Sequence, residues 1–282
     1  MEPAEVGAHF RAACVVELEA LKPGNVHVHA DGHGMTVQDF VTSADVVAPV
    51  MADPALAVGA RIHEAVRRTR AAVACNTNLG IVLLCAPLAQ AALSMTGGSL
   101  RARMIEVLDG LDRDDAERTF RAIALAEPAG LGASEEHDVH EPARVTLAEA
   151  MAFAAERDRI AWNYGHGFAD IFELGLPRLR LALARSDDEI DAAGSIYLAF
   201  LAGIADTHIA REHGALMAET VRRDAEAFDR RLSGGKTISD LSEALLAFDS
   251  DLKSKGLNPG TSADLTVASL FARRLEDAHA VS

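Results

Sequence analysis

Cysteine, positive charge and long apolar runs are all scarce in these 282 residues. The three cysteines, Cys14, Cys75 and Cys85, are scattered and form no C-x-x-C pair, which excludes a disulfide framework and a cysteine zinc site and fits a reducing cytoplasm. Lys and Arg number 27 against 42 Asp and Glu, a net charge of −15. A chain so acidic has nothing to replace the counterions of a nucleic acid, so nucleic-acid binding is excluded. A small polyphosphate can still bind where local Lys or Arg, or a divalent cation, stands between it and the protein. The most apolar stretches, 79–93 and 194–205, fall short of the roughly 20 residues a membrane span needs. They read as buried helices, with a homodimer face as the other use of such surfaces. Residues 1–10 carry Glu2 and Glu5, no basic start and no apolar core, so no signal peptide is expected. No H-E-x-x-H zinc motif and no repeat occurs. The nearest approach to strand alternation is Val26-His27-Val28-His29, which is short.

What remains is the composition of an ordinary globule, 49% hydrophobic and 24% charged. Ala- and Leu-rich periodic runs separated by Gly/Pro clusters predict one all-α domain over 1–282, of about a dozen helices. The first spans about 5–21 and stops at Lys22-Pro23-Gly24. Thr36 with Asp39 is a capping box opening a helix towards Val50, and Pro54 opens the next. Asn76-Thr77 caps the apolar helix after Leu79, and Ser99 and Asp112 start two amphipathic ones. Residues 127–144 form a long loop, of a length more often functional than structural. Thr146 with Glu149 opens a helix expected to include Asp158 and Trp162. Helices are then expected near 177–184, 187–211, 216–232 and 238–252, with Ser262 capping the last. Asp187-Asp188 and residues 112–115 read as solvated helix starts, and His63 and His166 as packing or surface residues. Ser233-Gly234-Gly235-Lys236-Thr237 ends like a phosphate-binding loop, but Arg230 replaces its upstream glycine, so it reads as a surface turn.

Four polar clusters stand at turns or helix starts, where backbone amides and side chains become available to ligands. The first is Glu17 with Lys22-Pro23-Gly24-Asn25-Val26-His27, then His33 and Asp39; Lys22 is its natural phosphate contact. A plain turn after a helix-ending cation reads equally well. The second, Cys75-Asn76-Thr77-Asn78-Leu79-Gly80, opens an otherwise apolar helix, as an anion site or as simple capping. In the third, Asp206-Thr207-His208 with Arg211, an acid ends a buried helix and needs a partner or a metal. The Asp206–Arg211 spacing is not that of helical neighbours, which weakens a salt bridge between them. The fourth is Asn258-Pro259-Gly260-Thr261-Ser262-Ala263-Asp264 around another helix start, equally readable as a capped C-terminal helix.

Together and in order, from about residue 17 to 271, these clusters resemble the triphosphoribosyl-dephospho-CoA synthase family. Its Glu, Pro-Lys-Pro-Gly and Asp-Phe-x-x-Ser-Ala elements correspond to Glu17, Leu21-Lys22-Pro23-Gly24 and Asp39-Phe40-Val41-Thr42-Ser43-Ala44. Asn-Thr-His-Lys-Gly corresponds to Asn76-Thr77-Asn78-Leu79-Gly80, and Gly-Asp-Thr-Asn to Ala205-Asp206-Thr207-His208. Leu-Ser-Pro-Gly-Gly-Ser-Ala-Asp-Leu corresponds to Leu257-Asn258-Pro259-Gly260-Thr261-Ser262-Ala263-Asp264-Leu265. The resemblance implies an all-α transferase that joins the ribose C1 of ATP to the 2′-hydroxyl of 3′-dephospho-CoA and expels adenine, with inversion at C1. Such a displacement needs a base for the hydroxyl, a proton for the base that leaves, and Mg²⁺ or cations for the triphosphate.

On that resemblance the catalytic candidates are Asp206, Asp264 and Glu17, with Asp206 also the metal candidate. Lys22 and Arg211 are expected to hold phosphates, and Asn25, Asn76, Thr77 and Asn258 to orient ribose or base. His27, His33, Asn78, Thr207, His208, Thr261 and Ser262 complete the expected substrate-binding set. Asn78-Leu79 replaces the family's His-Lys, Gly34 an acid and Ala205 a glycine. In these respects the chain looks more like the branch found in methane-forming archaea and methylotrophic bacteria. That implies an alternative, phosphoribosyl transfer to a methanopterin-type precursor. Asp206-Thr207 is also similar to the metal site of ADP-ribosylglycohydrolases, but His208 stands in place of that site's second Asp. A non-catalytic nucleotide-binding protein is the remaining class.

Overall fold

The computed structural model describes residues 1–94, 96–130, 132 and 136–281. Among these are fourteen α-helices and no strand; the only extended pairings are isolated bridges, His27 with Ala30 and Gly32 with Met35. The first six helices are α1 (Pro3–Glu19), α2 (Val37–Met51), α3 (Val58–Val73), α4 (Leu79–Leu93), α5 (Leu100–Asp109) and α6 (Arg113–Ala126). The short α7 (Leu147–Ala154) and α8 (Arg159–Gly165) follow the long loop. A π-helical turn, Asp170–Gly175, then leads into α9 (Leu176–Arg185) and α10 (Glu189–Gly203). The last four are α11 (Thr207–His213), α12 (Ala215–Ser233), α13 (Ser242–Ser254) and α14 (Gly260–Val281).

α4 has no polar face, because almost every residue from Leu79 to Ala92 is buried. α14 packs on α1, α4, α9 and α10, and α1–α2–α3–α6 wrap one side as successive neighbours. α3 meets α6 closely because Gly59 has no Cβ; one there would lie 2.5 Å from Asp115 Cα. Asp115 is buried rather than solvated, and its Oδ1 accepts the Gly59 N–H at 2.7 Å. A second core, including Tyr197, Leu201, Val221, Leu245 and Leu257, joins α10 to α12 and α13. Among the described residues no single helix is long and apolar enough to cross a membrane.

The capping boxes at Thr36–Asp39 and Thr146–Glu149 form as expected, as do the caps at Ser99 and Asp112. Three expectations are corrected. α7 stops at Ala154, and Asp158 caps α8 instead of lying inside one continuous helix; its Oδ1 accepts the N–H groups of Ile160 and Ala161. The helix expected over 187–211 breaks between Gly203 and Thr207, where the Asp206 carboxylate caps α11. α14 begins at Gly260, and Ser262 lies inside its first turn as a donor to Asp206. All three changes put a polar side chain at a break that faces one cavity, or directly behind it.

Candidate active site

The turn after α1 is locked by its neighbours. Gly24 has φ +85, and a Cβ there would lie 2.8 Å from Pro259 Cδ, so the 22–25 and 256–260 turns interlock. Asn25 Nδ2 donates to Asn258 Oδ1 at 2.8 Å across the junction. Tyr197 donates its hydroxyl to the Pro23 carbonyl at 2.7 Å, and His33 Nε2 lies 2.7 Å from the Gly24 carbonyl. From behind, Asp249 accepts the Gly24 N–H at 2.8 Å and contacts His27 Nε2 and Lys253 Nζ. His27 and His33 therefore brace the turn and do not line the cavity.

Lys22 is fully buried. Its ammonium is paired with Glu17 and donates to Asn25 Oδ1 at 2.9 Å, so its donors serve protein groups and it does not line the cavity. Burial pushes the Glu17 carboxyl up and the Lys22 ammonium down, and their mutual attraction opposes both shifts.

Asp206 is a clip between two helix starts. Oδ1 accepts the N–H groups of His208 and Ile209 at 3.0 and 3.3 Å. Oδ2 accepts both the N–H and the hydroxyl of Ser262, each at 2.8 Å. Four donors fill the lone-pair directions of a carboxylate. Asp206 and Ser262 thus hold the cavity floor from behind, with Asp206 1% exposed. The two hydroxyls next to them, Thr207 Oγ1 and Thr261 Oγ1, lie 3.0 Å apart on the cavity side.

The cavity itself is about 700 Å³, within the range of small-molecule sites. Its polar end brings together Glu17, Asn25, Asn76, Thr77, Asn78, Thr207, His208, Arg211, Asn258, Thr261 and Asp264. These residues come from all four sequence clusters. Asn76 Oδ1 accepts the Leu79 N–H at 3.1 Å, opening α4. Thr77 and Ser43 hydroxyls are 2.6 Å apart, which ties the Ser43-Ala44 element of α2 to the start of α4. Asn78 donates to Thr69 at 3.0 Å. Burial, with the Arg211 charge nearby, holds the His208 pKa down against the opposing charges of Asp206 and Glu212. Arg211 ignores Asp206; it donates to the Ala129 carbonyl at 2.8 Å and reaches Asp158 at 3.6 Å.

Asp264 is the exception among these acids. Its recessed carboxyl lines the cavity with no hydrogen-bond donor among the described residues. It fits because residue 80 is glycine; a Cβ there would lie 2.0 Å from Asp264 Oδ2. Burial, then the negative charges of Asp206, Glu17 and Asp158, push this carboxyl well above the usual carboxylate range.

Sequence reasoning missed the apolar part of the cavity's lining. α6 and α7 supply Phe120, Ile123, Leu147, Met151 and Phe153, and α4 supplies Ile81 and Leu83. Arg157 and Asp158 face the cavity from the α7–α8 break, and Pro128, Gly130, Gly132, His137 and Val139 from the long loop. Residues 131 and 133–135 of that loop lie outside the described residues. The available signals were the loop's length and Asp158 standing two residues before an apolar pair, as a cap does.

Residues from all four sequence clusters thus line one cavity, while Lys22, Asp206 and Ser262 of the same clusters brace it from behind. The profile of CitG, described as ATP:dephospho-CoA triphosphoribosyl transferase, matches residues 3–282. The chain belongs to this family. A Pseudomonas fluorescens protein provisionally named 2-(5''-triphosphoribosyl)-3'-dephosphocoenzyme-A synthase is 30% identical over 121 residues, 41% of this chain and 39% of that protein. A Pseudomonas syringae pv. tomato protein of the same provisional name is 29% identical over 118 residues, 40% of this chain and 38% of that one. Each match therefore spans about two fifths of the relative's length. A solved structure from Archaeoglobus fulgidus, provisionally a triphosphoribosyl-dephospho-coA synthase, has the same fold. It aligns with a TM-score of 0.62 and 22% identity over 83% of this chain and 97% of its own. Gly34 sits at φ +73, in a left-handed turn that suits glycine.

Proposed function

We propose that this chain joins the ribose C1 of ATP, as its 5-triphosphate, to the 2′-hydroxyl of 3′-dephospho-CoA and releases adenine. One observation carries the reading: residues of all four clusters line a single cavity, with a carboxyl, Asp264, in its wall that has no hydrogen-bond donor among the described residues. Arg157 and Arg211 would meet the triphosphate, helped by the amide ends of α4 and α14, which begin at the cavity. Asn25, Asn258, Asn76 and Thr77 would orient the ribose. The apolar end would receive a flat base and exclude water from the oxocarbenium-like centre at C1. The acids around Asp264 favour the positive charge that develops there.

Mg²⁺ is expected with a triphosphate. Among the described residues no three His, Cys, Asp or Glu side chains are grouped to hold an ion, and the Asp206 lone pairs are taken by donors. A divalent ion therefore enters the proposal as part of the nucleotide substrate, and no step is assigned to a resident metal. The test is incubation with Mg²⁺, ATP and 3′-dephospho-CoA, read by mass spectrometry. Adenine with the joined product supports the reading; adenine with free ribose 5-triphosphate points to a hydrolase and refutes it.

A second reading follows from Asn78 and Leu79, which leave the start of α4 without the family's basic pair. A donor with its phosphates elsewhere, such as phosphoribosyl pyrophosphate, and a methanopterin-type acceptor would then replace ATP and dephospho-CoA. The same assay with those substrates decides between them.

A further inference from the structure

Of the carboxyl groups that line the cavity, Glu17 and Asp264 stand in different electrical settings. Glu17 stands beside a fixed cation, because Lys22 is fully buried against it and tied to Asn25. Among the described residues Asp264 has no cation or hydrogen-bond donor in contact, and its Oδ2 rests in the space left by the missing Gly80 side chain. The titratable and charged groups around Asp264 are Glu17 of α1, Lys22 of the following turn, Cys85 of α4, Asp158 before α8, and Asp206 and Arg211 at α11. Three of these are acids, so the surroundings favour the uncharged carboxyl. Burial pushes both carboxyls up, but Lys22 opposes that shift at Glu17, whereas among the described residues no cation in contact opposes it at Asp264. Two carboxyls whose environments divide them in this way are suited to opposite halves of one proton-transfer reaction.

We propose that Asp264 is the proton donor to the leaving base and Glu17 the proton acceptor from the attacking hydroxyl; this rests on the transfer reaction proposed above. As the C1–N9 bond breaks, its electron pair goes to the purine and the Asp264 proton goes to a purine ring nitrogen. As the acceptor oxygen bonds to C1, its proton passes to a Glu17 carboxylate oxygen. The products are the α-linked ribosyl triphosphate and neutral adenine. Asp264 is left ionised and Glu17 protonated, and exchange with water resets both. Lys22 and Gly80 are positioning residues, the first by charge and the second by making room.

The test compares two donors, ATP and a 7-methylpurine ribonucleoside triphosphate whose cationic base leaves without being protonated. With ATP, both Asp264→Asn and Glu17→Gln lose about 10²–10⁴-fold in rate. With the methylated donor, Asp264→Asn recovers to within about tenfold of the wild type, and Glu17→Gln does not. Azide, which attacks C1 without giving up a proton, restores base release to Glu17→Gln. The wild type gives a measurement that needs no variant: its alkaline rate loss, present with ATP, disappears with the methylated donor, and its acid-side loss remains. Rescue of Glu17→Gln by the methylated donor, or an unchanged alkaline loss in the wild type, overturns this assignment alone. A wild type that forms no joined product overturns the transfer reading and the assignment together.

Discussion

Replacing Gly80 with alanine puts a methyl group where the Asp264 carboxyl lies. The new Cβ would sit 2.0 Å from Oδ2, 2.5 Å from Cγ and 2.7 Å from Ile160 Cδ1. The carboxyl must retreat by about 1 Å, or α14 must move off α4, for the overlap to be relieved. Stability and rate respond differently. Overpacking costs about 1–3 kcal/mol, and the better helix propensity of alanine returns about 1 kcal/mol. The net loss is therefore about 0–2 kcal/mol, a few degrees at most in the melting temperature. A shift of about 1 Å at a reacting carboxyl, by contrast, lowers the rate about 10²-fold. Thermal melting by circular dichroism and initial rates of adenine release on the same preparation separate the two effects. Gly59→Ala is the control. Its Cβ would lie 2.5 Å from both Cα and the carbonyl O of Asp115, backbone that cannot rotate away, and the clash is outside the cavity. Gly59→Ala should lose more stability and keep its kcat while folded. A Gly80→Ala protein with wild-type kcat would show that the Asp264 carboxyl is not at the reacting atoms.

Three more outcomes follow from the same contacts. Asp206→Asn takes a charged acceptor from four donors at the starts of α11 and α14; it should destabilise the fold by about 2–4 kcal/mol in urea titration, and an unchanged midpoint would contradict the clip. Lys22→Met leaves Glu17 buried beside no cation, a loss of about 3–5 kcal/mol. Adding Glu17→Gln to it should recover part of that loss, and purely additive effects would deny the pairing. Asp264 binds its proton more tightly folded than unfolded. From about pH 3.9, the unfolded value, up to its raised folded value, the native state carries the extra proton, so stability falls with rising pH by up to about 1.4 kcal/mol per unit. Asp264→Asn removes that slope and should be the more stable protein at pH 7; a stability gap that stays constant from pH 4 upward counts against it.

The helix caps were legible because a cap is a local device: Thr36–Asp39 and Thr146–Glu149 satisfy amides three residues away, whatever packs against them. The break before Asp206 was not, because the run from 194 is almost wholly apolar and its end carries only the single Gly203, with no proline beside it, a weak stop that a helix tolerates. The cap on His208 and Ile209 is local, but Ser262, which bonds the second Asp206 oxygen from 56 positions away, leaves no local mark. The polar half of the site could be read for the opposite reason. Asparagine, threonine and aspartate beside Gly and Pro have few structural uses apart from capping, so four such clusters stood out. The apolar half could not be read. Phe120, Ile123 and Met151 follow the same helical spacing whether they face a core or a substrate cavity. An apolar wall left for a ligand differs from a core wall only in what another helix fails to cover, and that is decided by where α7 ends. Asp158 ends that run by capping α8, and the α6–α7 face lines the cavity. The break that the helical pattern concealed is therefore also what gives the site its apolar half.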